Sequence, residues 1–190
     1  MSTVNSGKIK KSAIFFGSPN NRGNTAKLLD EFLRFCPENT QAKLLCAYDL
    51  KVEPCIGCDH CKKTGVCFRG KNDAFHEIEQ AVYESDNFII ATPVYFLGVP
   101  APLKQIFDRF QPYFYHRSFD GIKRRKAVLL TTSGSNDSVG PKQVELSTQY
   151  VLDTINVSLI ETVSVKQTDR FFEVGLNVCR NAAKKLFSYE

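Results

Sequence analysis

Four of the seven cysteines in this 190-residue chain fall in the stretch EPCIGCDHCKKTGVCFRG, residues 53–70. Cys55, Cys58, Cys61 and Cys67 follow the spacing C-x2-C-x2-C-x5-C. Four thiols so close together can ligate an iron-sulfur cluster or a zinc ion, pair as disulfides, or stay reduced. The two short gaps let three thiolates converge on one small object, and the fourth completes four corners, as in bacterial ferredoxin-type runs. The longer last gap, and Phe68 where a proline would follow, depart from those runs. Structural zinc sites usually join two separated knuckles, which this compressed loop lacks. On spacing alone a [4Fe-4S] cluster ranks first, empty or redox-active thiols second and zinc last.

Other loops offer different chemistry. In GSPNNRGNTAKLL, Gly17 and Gly23 permit unusual backbone angles, while Ser18, Asn24 and Thr25 place hydroxyl and amide groups beside the start of a helix, where the dipole favours an anion. The loop has neither the Lys-Ser/Thr ending of a nucleoside-triphosphate loop nor a G-x-G-x-x-G fingerprint, which leaves a small phosphate ester. An ordinary glycine-rich turn with a capped helix is the bland alternative. In ATPVYFLGVPAPLKQIFDRF, prolines at 93, 100 and 102 stiffen a segment carrying Tyr95 and Phe96. These aromatics can stack on a planar ring, or cap the core or a subunit contact. Thr132, Ser133 and Gly134, in TTSGSNDS, suit the polar edge of a heterocycle.

Periodicity supplies the elements that must position these loops. Strands are expected at 12–17, 42–50, 87–93, 126–132 and 157–165, and helices at 24–35, 73–85, 102–114, 141–155 and 173–187. Alternation of apolar strands with helices predicts right-handed βαβ crossovers and a three-layer α/β domain, with a parallel sheet covered on both faces. Ligands in such sheets bind outside the carboxyl ends of the strands, which is where all four loops emerge. With no repeat, low-complexity segment or linker, residues 1–190 read as one domain with a Cys-rich loop at 53–71.

Composition narrows the function class. Hydrophobic content of 43% with 24% charged residues is ordinary for a soluble protein, and no apolar run approaches a membrane span of roughly 20 residues. The N-terminus lacks the apolar core of a secretion signal, so a cytoplasmic location with reduced cysteines is expected, and the two sequon-like triplets at Asn136 and Asn156 carry no meaning. The net charge is +5. The basic run Lys123, Arg124, Arg125, Lys126 has no interleaved aromatic and reads as a solvated strand entrance rather than a nucleic-acid site.

In this order, GSPNNRGNT, PVYFLGVPAPLKQIFDR and TTSG resemble the flavodoxin-like NAD(P)H-dependent FMN reductase and quinone reductase superfamily. The cysteine loop, followed by KNDAF, resembles its iron-sulfur flavoprotein branch. The likeness runs from residue 11 to about 165. It implies a doubly wound five-stranded sheet of order 2-1-3-4-5. It also implies bound FMN: Ser18, Asn20, Gly23, Asn24 and Thr25 at the phosphate; Pro93, Val94, Tyr95 and Phe96 along the ring; Thr132, Ser133 and Gly134 in the third flavin loop. The implied activity moves electrons from NAD(P)H or a carrier to flavins, quinones or protein partners. The redox chemistry is flavin-borne, so no catalytic acid or base is expected. A homodimer or homotetramer is implied, a neighbouring subunit covering the exposed ring face. An electron-transfer protein with a [4Fe-4S] cluster and no small-molecule turnover is the second reading.

The remaining residues have plain readings. Cys46 and Cys179 read as buried small hydrophobes, and Cys36 before Pro37 is uninformative. His60 reads as exposed, and His76 and His116 as surface residues. Asp108 and Arg109 fit a helix-surface or interface pair as well as they fit chemistry, and take no catalytic role.

Overall fold

The computed structural model describes residues 9–70, 72–116, 118–119, 121–170 and 176–188. Its centre is a parallel sheet of five strands, β1 (Lys10–Phe16), β2 (Thr40–Cys46), β3 (Asn87–Pro93), β4 (Arg125–Thr132) and β5 (Val157–Val165), in the order β2-β1-β3-β4-β5. This is the doubly wound order expected. The register pairs Phe16 with Cys46 and Ala91, and Pro93 with Thr132, so the strand ends form one continuous carboxyl edge.

Helices α1 (Asn24–Leu33) and α7 (Leu176–Phe187) cover one face, where Leu28, Leu29, Phe32, Cys179, Ala183 and Leu186 pack on Ile14, Ile89, Val128 and Leu130. Helices α3 (Phe75–Glu84), α4 (Ala101–Asp108), α5 (Gln111–His116) and α6 (Val139–Thr154) cover the other, burying Phe75, Ile78, Leu103, Ile106 and Val144 against Phe15, Phe88, Ile90 and Leu129. Alternate residues of β3 thus enter opposite cores, which is why its sequence reads as one apolar run.

The boundaries depart most from the periodicity at β2, in the helix expected over 102–114 and inside the cysteine loop. β2 stops at Cys46 instead of continuing to 50, because the chain turns there: Asp49 and Leu50 amides both donate to the Cys46 carbonyl. It is an edge strand, and its middle residues are exposed. The expected helix 102–114 is two helices; the Arg109 and Phe110 amides close short bonds to Ile106 and Phe107, and Pro112, which lacks an N–H, sits in the first turn of α5, where none is needed. A short helix, α2 (His60–Thr64), forms inside the cysteine loop. Residues 173–175 of the last expected helix lie outside the described residues.

The basic run is also more engaged than a solvated entrance. Arg124 pairs with Asp153 and Ser158. Arg125 is half-buried between Phe88 and Phe119, and its guanidinium donates to the carbonyls of Val82, Ser85 and Ile155. It therefore places a cation at the C-terminal ends of both α3 and α6, where the helix dipoles favour one. Among the described residues no helix is long and apolar enough to cross a membrane.

Candidate functional site

The carboxyl edge carries a laced set of loops. Gly17 leaves β1 with its amide on the Ala91 carbonyl at 2.8 Å, and a Cβ there would sit 2.7 Å from Leu103 Cδ2 and 2.9 Å from Thr92 Oγ1. Only glycine fits that approach. Ser18 is buried; its Oγ accepts the Asn20 amide and donates to the Asn20 carbonyl. Asn20 in turn accepts the Arg22 amide through Oδ1 and the Gly23 amide through its carbonyl. Gly23 is the N-cap of α1, and no side chain caps the helix. The first-turn amides thus face an edge built by Ser18 and Asn20, the arrangement in which a helix start holds an anion.

Hydrogen bonds join this loop to its neighbours. The Thr25 and Thr132 hydroxyls share a buried bond of 2.7 Å, so the start of α1 is tied to the end of β4. The Val94 amide donates to the Thr132 carbonyl at 2.8 Å, linking the loops after β3 and β4. Thr132 and Ser133 are buried, and Ser133 Oγ bonds Ser135. Asp137 then accepts the amides of Val139 and Gly140 at the start of α6. Those amide bonds, with the Ser135 hydroxyl, hold its carboxyl below the usual carboxylate range.

The loop after β3 is a hairpin. Tyr95 and Gly98 exchange both backbone bonds at 2.9 Å, and the two residues between them, Phe96 and Leu97, have φ of 46° and 64°. Left-handed geometry at both central positions is what a type I′ turn requires and what glycine and asparagine normally supply. Here a phenylalanine and a leucine adopt it, at a strain of about 1–3 kcal/mol each. The Phe96 ring projects fully into solvent, and Tyr95 and Leu97 are about half exposed. Pro93 and Val94 are half-buried at its base.

A fourth loop completes the edge, and the sequence reading missed it. After β5, the Gln167 and Thr168 amides donate to Ser135 and Ser133 carbonyls, while the Thr168 carbonyl accepts Asn24 Nδ2 at 3.0 Å. Gln167 is itself left-handed, with φ of 58°. Asp169 lies so close to Gly134 that a Cβ there would meet its carboxylate at 2.2 Å. Nothing in KQTDR marks it as a site; only the sheet order, which sets β5 beside β4, brings it there.

The cysteine loop leaves the same edge from β2 and is built differently. Gly57, Asp59, Gly65 and Gly70 all have positive φ, and α2 runs between two of these reversals. Cys55 and Cys58 are exposed, and Cys61 and Cys67 half-buried. Burial raises the Cys61 thiol above its ordinary value, with the neighbouring Cys67 and Cys55 thiols adding to the effect. Among the described residues no three His, Cys, Asp or Glu side chains converge in metal-holding geometry. His60 is half-buried, edge-on to Phe68 at 5.9 Å. His116, exposed as expected, reaches the loop through a 3.2 Å bond between Nε2 and the Lys62 carbonyl. In the turn after β2, burial, then the Tyr95 phenol, raises the Tyr48 phenol.

Asp108 and Arg109 part company. Asp108 pairs with Lys104 on the surface of α4, whereas Arg109 is the largest fully buried side chain among the described residues and pairs with Asp73. The guanidinium also donates to the Glu53 carbonyl at 2.8 Å and stacks on Phe75 at 4.8 Å. Desolvation opposes both charges. Their mutual hydrogen bonds prevail, holding Asp73 below the carboxylate range and Arg109 above its own.

Comparison with known proteins follows this geometry. The sequence model of the NADPH-dependent FMN reductase family matches residues 11–167. The chain is 39% identical over 97 residues, half of its length, to an iron-sulfur flavoprotein of Methanocaldococcus jannaschii, and 34% identical over 131 residues, 68% of its length, to one of Archaeoglobus fulgidus. It spans 49% and 58% of those two relatives. Among solved structures it superposes on an NAD(P)H:quinone oxidoreductase of Methanothermobacter marburgensis with a TM-score of 0.71 at 17% identity, covering 96% of this chain and 98% of the other. An FMN-dependent NADH-azoreductase of Bacillus anthracis in complex with FMN gives 0.62 at 16% identity, covering 93% and 95%. These two likenesses establish the fold. The family match establishes membership: the chain belongs to the NADPH-dependent FMN reductase family.

Proposed function

We propose that this member of the FMN reductase family is an FMN-dependent oxidoreductase, one flavodoxin-like domain that passes electrons from NAD(P)H or a reduced carrier to a flavin, quinone or similar acceptor. The observation that carries this reading is the uncapped start of α1 set against a loop closed by Gly17, Ser18 and Asn20. A phosphate fits there because the first-turn amides lack a side-chain acceptor and the dipole favours negative charge. Asn24 and Thr25 hold the cradle to the loops after β5 and β4. Pro93, Val94, Tyr95 and Phe96 would line the ring, and Thr132, Ser133 and Gly134 its polar edge. Bound FMN supplies hydride and electron chemistry, and the chain supplies position and electrostatics.

The exposed, strained hairpin supports a homodimer, or a tetramer of dimers, in which a second copy covers Tyr95, Phe96 and Leu97. Purified protein tests the reading. A yellow preparation that oxidises NAD(P)H in the presence of a quinone is expected; apoprotein that takes up no FMN contradicts it.

The cysteine loop favours a second reading, an iron-sulfur flavoprotein acting in electron transfer. The donor set suits a [4Fe-4S] cluster in kind and number: Cys61 and Cys67 would supply half-buried thiolates, and Cys55 and Cys58 exposed ones. Under this reading anaerobic protein is brown, inert to NAD(P)H and reduced by ferredoxin. Colourless, zinc-containing protein with free exchange of flavin contradicts both readings.

A further inference from the structure

The flavin loops and the cysteine loop share an edge but have few direct bonds between them. One buried side chain, at the end of α4, closes the base of the cysteine loop. Arg109 follows α4, the helix that begins immediately after the hairpin loop of β3. Its Nη1 donates to the carbonyl of Glu53 and to Asp73, and its Nη2 to the other oxygen of Asp73. Asp73 also accepts the Glu53 amide at 2.9 Å and the Phe75 amide at 2.9 Å. Residues 53 and 73 are the two ends of the cysteine loop, so one ion pair closes the loop at its base. The planar fork makes this possible: three bonds leave two nitrogens in fixed directions, which a lysine ammonium cannot reproduce.

We propose that Arg109 is a positioning residue that clasps the cysteine loop at Glu53 and Asp73 and holds it in register with the flavin loop at the other end of α4. The proposal rests on reading the cysteine loop as a redox element, but its mechanical part stands on the protein without iron, so the two can fail separately.

The test uses the full chain and the variants Arg109→Lys and Arg109→Met, with the double variant Arg109→Met/Asp73→Asn to avoid an unpaired buried carboxylate. Hydrogen exchange of the Glu53 and Phe75 amides is measured on iron-free protein. FMN titration is measured alongside, and the absorption and paramagnetic spectra are recorded after anaerobic reconstitution with iron and sulfide. The clasp predicts that exchange at both amides rises about tenfold or more in every variant, lysine included, because the fork and not the charge closes the loop. It predicts FMN affinity within about twofold of wild type, with iron content reduced or the cluster spectrum altered. Arg109→Lys with wild-type exchange at both amides and an unchanged spectrum would overturn it. So would parallel loss of FMN binding in all three variants, which would make Arg109 a general support of the fold.

Discussion

The flavin edge and the cysteine loop leave the same side of one sheet, yet they are held in opposite ways. The loops after β1, β3, β4 and β5 are tied to one another by the Thr25–Thr132 pair, the Val94 amide, the Thr168 amide and Asn24 Nδ2, with Ser18, Thr25, Thr132 and Ser133 buried. Among its described residues the cysteine loop has four left-handed positions and two exposed thiols; Arg109 and Asp73 fix its base, Arg69 pairs with Glu53, and His116 touches it at α2. A polar cradle can be completed by the chain itself, because its hydroxyls and amides satisfy one another. Cys55 and Cys58, by contrast, are exposed to solvent.

Iron content separates the two regions most sharply. Anaerobically reconstituted protein should hold about four irons per chain, and Cys58→Ala should lose them while FMN affinity is unchanged. Flavin without iron, and four thiols open to alkylation, would make the loop an empty relative of a cluster site. Next in size is the effect of tightening the cradle. Gly17→Ala forces a methyl against Leu103 and Thr92 and should destabilise the protein by about 1–3 kcal/mol in denaturant titration, with weaker flavin binding. Gly57→Ala, which meets no atom within 4 Å but sits at φ of 63°, should change stability by about 1 kcal/mol and leave flavin binding alone.

Thr25→Val removes one half of a buried hydroxyl pair and leaves Thr132 without its partner, at a cost of about 1–3 kcal/mol. If stability is unchanged, the lacing between α1 and β4 contributes nothing. The hairpin is tested by sedimentation: the wild type should run as a dimer or larger, and Phe96→Asn, which relieves the left-handed strain but removes the exposed ring, should shift toward the 21.4 kDa monomer. A wild type that is monomeric at micromolar concentration with full activity contradicts the expected assembly.

The smallest effect is on acid stability. Asp73 is held below its ordinary value, so its contribution is fully present above the unfolded pKa of about 3.9 and is lost as pH falls through the lower folded value. Asp73→Asn should therefore flatten the acid limb of the unfolding curve below about pH 4 and leave the neutral plateau lower.

Much of this was legible in the residues. Apolar runs such as NFIIATP and KAVLLTT give β3 and β4 because both faces of a central parallel strand are buried, and the glycine-rich and proline-stiffened loops mark the edge where ligands bind. The end of β2 was not legible, because an edge strand pairs on one side only and its apolar residues continue into the turn. The loop after β5 was hidden for a different reason: Thr168 and Asp169 acquire their role through contacts with Asn24, Ser133 and Gly134, far away in sequence. Arg109 reads as a surface residue because its neighbour Asp108 is one; the break between α4 and α5 turns it inward to Asp73.

The central claim, that FMN sits at the cradle built on α1, is tested most directly by titrating FMN into wild-type apoprotein and into the double variant Asn24→Ala/Thr25→Ala. Hydrogen bonds to charged groups are worth roughly 1.5–3 kcal/mol each. The variant also unties the loops after β5 and β4. One FMN is expected to bind per wild-type chain, with affinity lowered by about a hundredfold or more in the variant, enough for flavin to leave on dialysis. Stoichiometric FMN with unchanged affinity in the double variant would contradict it.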